Sequence, residues 1–81
     1  MQTEQIDRRP YADRHRDSGV TFYALRPSSI CVWFRGGRGY EYDSRKPGKL
    51  HVKEMKRRAE EGLGLATYIN KKVRGNFAHE L

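Results

Sequence analysis

Val20 to Tyr42 reads VTFYALRPSSICVWFRGGRGYEY, and the sheet of the protein is predicted from this stretch. Its β-branched and aromatic residues form runs that turn residues separate, a pattern typical of strands. The proline of the first break fixes φ and lacks an N–H for a ladder, and the glycines of the second tolerate the positive φ of a tight hairpin. The pattern predicts strands at Val20–Leu25, Ile30–Arg35 and Tyr40–Tyr42.

The second and third predicted strands form a hairpin whose register follows from its faces. Pairing Phe34 with Tyr40 and Val32 with Tyr42 leaves a loop at 36–38. A register shifted by one residue would set Val32 against Glu41 and mix apolar with charged side chains. The favoured register gathers the large apolar residues on one face, namely Ile30, Val32, Phe34, Tyr40 and Tyr42. It turns the remaining side chains to the other face, namely Cys31, Trp33, Arg35 and Glu41.

Helical spacing begins after the strands. Val52, Met55 and Ala59 share one face at 100° per residue, and Gly62 is a suitable C-terminal stop, so a helix is predicted near Val52–Glu61. A second helix is predicted at Leu65–Val73, where apolar residues again share a face. Strands followed by helices predict an α+β domain, with a three-stranded antiparallel sheet followed by two short helices packed on one face.

The N-terminal stretch has little to bury, since Ile6 and Tyr11 are its only large apolar residues. The sequence therefore predicts a mobile N-terminal arm over residues 1–19, ordered only where Tyr11 docks, and a single small domain over residues 20–81. The chain has one cysteine, no long apolar run and no secretory leader pattern. These features predict a soluble, cytoplasmic protein without a disulfide.

The charge of the chain is concentrated in one block. Its formal net charge is +7, and the stretch from Ser44 to Arg58 carries +6, from seven basic residues and Glu54. Such a block is the electrostatic footprint of a protein that meets polyanions. The predicted phosphate contacts are Arg45, Lys46, Lys49, Lys53, Lys56 and Arg57. The alternative is a solvated helix face on which Glu54 pairs with Arg58 at i, i+4.

A second predicted contact surface surrounds Trp33. An indole on the sheet face away from the helices, beside Arg35, is suited to stacking a splayed base. The alternatives are that the N-terminal arm covers Trp33, or that it contacts a protein partner or a second copy in a homodimer. The run Arg35-Gly36-Gly37-Arg38-Gly39 is predicted to be a hairpin turn that presents Arg38 to solvent.

No residue pattern predicts catalysis. Cys31 has no general base beside it in the sequence, and there is neither a phosphate-binding glycine loop nor a usefully spaced carboxylate pair. Asp13-x-His15-x-Asp17 has metal-binding groups, but in a segment with no framework to fix their geometry. We therefore predict no enzyme activity, no cofactor and no metal site.

From Pro27 to Phe77 the chain resembles the KTSC domain, a short module named for its occurrence at the C-terminus of lysyl-tRNA synthetase. The matching residues are Ser28-Ser29-Ile30, Phe34-Arg35-Gly36-Gly37 with Tyr40-x-Tyr42, and the closing Gly64-Leu65, Tyr68-Ile69-Asn70 and Val73. Family members often have another strand between the Ser-Ser pair and the Phe-bearing strand, whereas here Ile30 follows at once. The resemblance implies a small β-rich module with C-terminal helices and a role in RNA binding. It implies no catalytic residue.

Together these features predict a small, non-enzymatic nucleic-acid-binding module that prefers RNA or single strands to duplexes. No recognition helix with Asn, Gln or Arg aimed at base edges stands out, so contacts to phosphates and stacked bases are expected. The alternative is an interaction or inhibitor protein, for example a phage-encoded one, that blocks a nucleic-acid-handling complex or sequesters an anionic nucleotide. No membrane partner is expected.

Overall fold

The structure, a computed structural model, describes residues 7–14 and 19–81. Its sheet is an antiparallel meander in the order β1-β2-β3-β4-β5, with two helices between the last two strands. The strands are β1 Arg9–Pro10, β2 Val20–Arg26, β3 Ser29–Phe34, β4 Gly39–Asp43 and β5 His79–Glu80. The helices are α1 Lys49–Glu61 and α2 Leu65–Tyr68, and α2 continues as a π-helical turn, Ile69–Val73. The predicted α+β class is confirmed.

The predicted count of three strands was too low, because each edge of the sheet carries one further short strand. Both edge strands have two residues, β1 pairing with β2 and β5 with β4. Segments this short and polar have no alternating apolar pattern from which a strand could be predicted. Pro10 also belongs at an edge, since a proline there need not donate to a ladder.

The predicted hairpin register was wrong by two residues. Val32 pairs with Tyr40 and Ile30 with Tyr42. The loop occupies 35–37, because the Phe34 amide donates to the Arg38 carbonyl at 2.7 Å. Two of its residues, Gly36 and Gly37, have φ of 97° and 96°, which favour glycine. A slip of two residues preserves the alternation of side chains, so the predicted faces are unchanged.

The helices cover the predicted face of the sheet. Ile30, Val32 and Tyr42 are buried in one cluster with the apolar stripes of both helices. The stripe of α1 is Val52, Met55 and Ala59, and that of the α2 segment is Leu65, Ile69 and Val73. Helix α1 begins at Lys49, a turn earlier than predicted, and Gly62 ends it at φ 73° as expected. The core thereby fixes the rotation of α1 and the direction of each side chain on its flanks.

Part of the predicted arm packs against the domain. Tyr11 is buried, and its hydroxyl accepts a hydrogen bond from the Leu65 amide at 3.2 Å. The Arg14 amide donates to the Gly62 carbonyl at 2.9 Å, and a Cβ added at Gly62 would lie 2.5 Å from the Cβ of Ala12. Docking by Tyr11 is thus the arrangement of residues 7–14, while mobility of the stretch stays a prediction.

Candidate nucleic-acid interface

A groove of about 820 Å³ runs along one flank of α1 and meets the β2–β3 turn and the β4–α1 loop. The turn contributes Pro27 and Ser28, and the loop contributes Ser44. Helix α1 contributes a flank of three lysines, Lys49, Lys53 and Lys56, together with Leu50, Arg57 and two acidic residues, Glu54 and Glu60. Because Val52, Met55 and Ala59 point into the core, the lysines at this spacing line the adjoining flank. The structure therefore brings the predicted lysine stripe together beside two hydroxyl groups.

Lys49 and Lys53 present their charge to solvent. Both are exposed, and neither forms an ion pair with any residue in the ranges 7–14 and 19–81. Leu50, between them in sequence, is 80% exposed, so this end of the groove combines cations with an uncovered apolar side chain. An ammonium without a protein partner can neutralise a phosphate and release its counterion.

Lys56 differs from the other two lysines in having acceptors within the protein. Its Nζ donates to the backbone carbonyls of Arg26, at 2.5 Å, and Pro27, at 3.4 Å. These carbonyls belong to the β2–β3 turn, so the half-buried ammonium ties α1 to the sheet. The prediction that Lys56 contacts phosphate stays a prediction, and its ammonium, unlike those of Lys49 and Lys53, would have to exchange these two carbonyls for the ligand.

Arg57 is also engaged, in a network at the C-terminal half of α1. Its guanidinium contacts Glu54 and, at 3.0 Å, the carboxylate of Glu61. Arg58 Nε donates to Glu54 at 2.7 Å, so the i, i+4 pair expected under the alternative interpretation, a solvated helix face, is present. Hydrogen bonds from Arg57 and then Arg58 lower the pKa of Glu54 to about 2. The spacing of the acids from Arg57, at i−3 and i+4, is a sequence signal for this neutralisation.

The loop before α1 has a hydrogen-bonded backbone, and its basic side chains are exposed to solvent. The Asp43 carboxylate accepts hydrogen bonds from the amides of Arg45 and Lys46, each at 2.9 Å. The hydrogen bond from the Lys46 amide holds the pKa of Asp43 below its usual value. Burial acts in the opposite direction, and the hydrogen bond from the Arg45 amide again lowers the pKa. Arg45 and Lys46 have exposed side chains next to the start of α1. These two predicted contacts therefore flank the groove.

The amino end of α1 adds to the positive potential. Gly48, its N-cap, makes no side-chain cap, and the first turn of the helix contains no acidic residue. Amide groups at a helix start carry a partial positive charge, which nearby acids would normally offset. Here Lys49 replaces them, so the helix end and the lysines reinforce one another.

The structure places the Trp33 surface on the other side of the sheet. Val32 is buried under the helices, and Trp33, its neighbour in β3, faces away, half-buried. The guanidinium carbon of Arg8 lies 4.9 Å from the centre of the indole. Arg38 is exposed at the hairpin turn, and the Arg35 amide donates to the Gly19 carbonyl at 2.7 Å. The predicted site residues thus form two surfaces, separated by the sheet.

Sequence reasoning missed two residues of this second surface. Phe22 is the Cα partner of Trp33 across β2 and β3 and is 37% exposed. Arg8 lies over the rings of both. The Phe22–Trp33 pairing could have been found by aligning the first two predicted strands. The contact of Arg8 agrees with the alternative in which the N-terminal arm covers Trp33, although no local pattern singles out Arg8.

The described residues contain no cluster of metal-ligating side chains. Within 7–14 and 19–81, no three His, Cys, Asp or Glu side chains gather closely enough to hold a metal ion. Of the weak Asp13-x-His15-x-Asp17 pattern, His15 and Asp17 lie outside the described residues. Burial, followed by the charge of Glu41, raises the pKa of the Cys31 thiol, which keeps it protonated and poorly nucleophilic.

No protein-family model, no curated protein and no solved structure matches this chain. The resemblance to the KTSC domain therefore stays a prediction. Among the helices that the structure describes, none is long and apolar enough to cross a membrane.

Proposed function

We propose that this protein is a small, non-enzymatic nucleic-acid-binding module whose preferred ligand is RNA or another single strand. The observation that carries the proposal is the groove in which Lys49 and Lys53 lie without an ion-pair partner among the described residues. Ser28 and Ser44 add hydroxyl donors, and Arg45 and Lys46 extend the positive surface along the loop. The resemblance to the KTSC domain favours RNA.

Single strands suit this surface better than duplexes. A protein that recognises the sequence of a duplex presents Arg, Asn or Gln side chains from an exposed helix face to the base edges in a groove. The outward side of α1, which borders the groove through Leu50 and Arg57, presents Glu61 as its third residue, and Glu54 and Glu61 pair with Arg57. A flexible strand can follow the remaining cations with its phosphates and place an apolar base edge near Leu50.

Salt-dependent binding tests the proposal. We would measure fluorescence anisotropy of a labelled single-stranded oligouridylate of about ten nucleotides, within the usual site size, from low to moderate salt. The Lys49→Ala/Lys53→Ala variant should bind more weakly, and its log–log salt slope should flatten by roughly 0.7 per lost contact. A duplex of equal length should bind less tightly.

A matched control separates the groove from net charge. Lys71→Ala/Lys72→Ala removes the same charge from an exposed surface of the π-helical turn. It should leave the slope close to that of the wild type. Equal losses in both double variants, or no binding by the unmodified chain, would overturn the proposal.

A second candidate is a protein-interaction or inhibitor function through the sheet face. It is favoured by the exposure of Phe22, at 37%, and of Leu81, at 49%, near Trp33. The Leu81 amide donates to the Gly39 carbonyl, opposite Trp33 in the ladder. A mass twice that of the chain in solution, lost in Trp33→Ala, would favour the homodimer form of this candidate.

A further inference from the structure

The indole of Trp33 lies flat on the sheet. Gly39 is its Cα partner on β4, and a Cβ added there would come within 2.6 Å of two atoms of the indole. The ring therefore packs closely over the Gly39 backbone, where only a glycine leaves room for it. Phe22, across β2, continues the aromatic surface. Two adjacent rings on a rigid sheet are the arrangement on which unpaired bases stack.

The side chain of Arg8 lies over both rings of this aromatic pair in the structure. Its guanidinium carbon lies 4.9 Å from the ring centre of Phe22 and also 4.9 Å from that of Trp33. A guanidinium is planar and stacks on aromatic rings much as a base does. The next two residues form the short strand β1, and Arg8 itself is exposed. Its side chain can thus leave the rings without opening the core.

We propose that the Phe22–Trp33 pair is a stacking site for an unpaired nucleobase, and that Arg8 occupies this site until a base displaces it. The inference rests on the proposed nucleic-acid function and adds a second contact, on the far side of the sheet from the groove. Displaced from the rings, the Arg8 cation is available to a phosphate of the same strand. Arg8 therefore competes for the rings and contributes to the salt-dependent part of binding.

The chain's single tryptophan makes the inference measurable, because emission excited at wavelengths that tyrosine does not absorb reports on Trp33 alone. The probe is the same oligouridylate, followed in parallel by its anisotropy and by tryptophan emission. Arg9→Ala is the matched control for Arg8→Ala: Arg9 is also exposed, but it pairs with Tyr23, whose side chain belongs to the core on the helix side. Both variants lose one charge from adjacent positions.

We expect the strand to quench tryptophan emission with the same midpoint as the anisotropy change. Without a strand, Arg8→Ala should shift the emission and Arg9→Ala should not. At high salt, where phosphate contacts are screened, Arg8→Ala should bind roughly two- to fivefold more tightly than Arg9→Ala, the factor that an exposed cation–π contact represents.

The outcomes that contradict the inference are distinct from failure of the proposed function. A strand that binds by anisotropy without changing tryptophan emission in any variant would overturn the stacking site and leave the groove intact. No anisotropy change in any variant would overturn both proposals. Emission that follows protein concentration, with a doubled mass in solution, would instead assign the aromatic pair to an interface between copies of the chain.

Discussion

Lys53 and Lys56 carry the same charge on the same helix flank, yet their contacts with the rest of the protein differ. Lys53 is exposed and unpaired among the described residues, whereas the Lys56 ammonium donates to carbonyls of Arg26 and Pro27. Charge counting treats the two lysines alike. The difference depends on a turn some thirty positions earlier in the chain, which helical periodicity cannot place beside α1.

Replacing Lys56 with methionine should therefore affect stability more than binding. The variant keeps the apolar stem but leaves two turn carbonyls without their cationic donor, at a cost of about 1 kcal/mol. Lys53→Met, the control, should leave the free energy of unfolding nearly unchanged. Urea denaturation measures both, and equal stability of the two variants would show that the contact of Lys56 contributes little to folding.

At the scale of elements, α1 divides into two electrostatic halves. Its amino-terminal half has Lys49 and Lys53 beside an uncapped helix start, while its carboxy-terminal half joins Arg57 and Arg58 to Glu54. The sequence predicted the helix, its core stripe and the Glu54–Arg58 pair, because all three depend on local spacing. The contact of Arg57 with phosphate stays a prediction, to which the structure adds that Glu54 and Glu61 both pair with Arg57.

The ion pairs of α1 predict a pH dependence with a definite sign. The pKa of Glu54 falls from its ordinary value of 4.5 to about 2 in the folded chain. Stability from its ion pairs is therefore fully present above about pH 4.5 and is lost as the pH falls toward 2. The difference in unfolding free energy between the wild type and Glu54→Gln should be constant near neutrality and shrink in acid. Chemical denaturation at a series of pH values measures it, and a difference that stays constant into acid would contradict the ion pairs.

The hairpin marks the limit of what spacing can predict for the sheet. Alternation assigned Val32, Phe34 and their neighbours to the correct face, but a slip of two residues leaves alternation intact. In the observed register Gly39 of β4 lies opposite Trp33, where a Cβ would come within 2.6 Å of the indole. That contact crosses strands, so it enters only once the strands are paired.

At the scale of the whole molecule, long-range contacts decide what the sequence could not. The Tyr11 hydroxyl reaches the Leu65 amide, Arg14 reaches the end of α1, and Arg8 covers the aromatic pair. The segment predicted as an arm thus contacts both sides of the domain. The assembled sheet also separates the groove from the aromatic pair, so a strand that uses both must pass around an edge.

The assignment of the groove as the nucleic-acid interface is tested most directly by mapping where a single strand binds. Two-dimensional ¹H–¹⁵N spectra of the labelled chain, recorded during titration with the oligouridylate at low salt, report on each backbone amide. If the groove binds the strand, the largest shifts should occur around it, at Ser28, Ser44, Lys49 and Lys53, and added salt should reverse them. Saturable binding whose shifts avoid these four residues would contradict the assignment of the groove as the nucleic-acid interface.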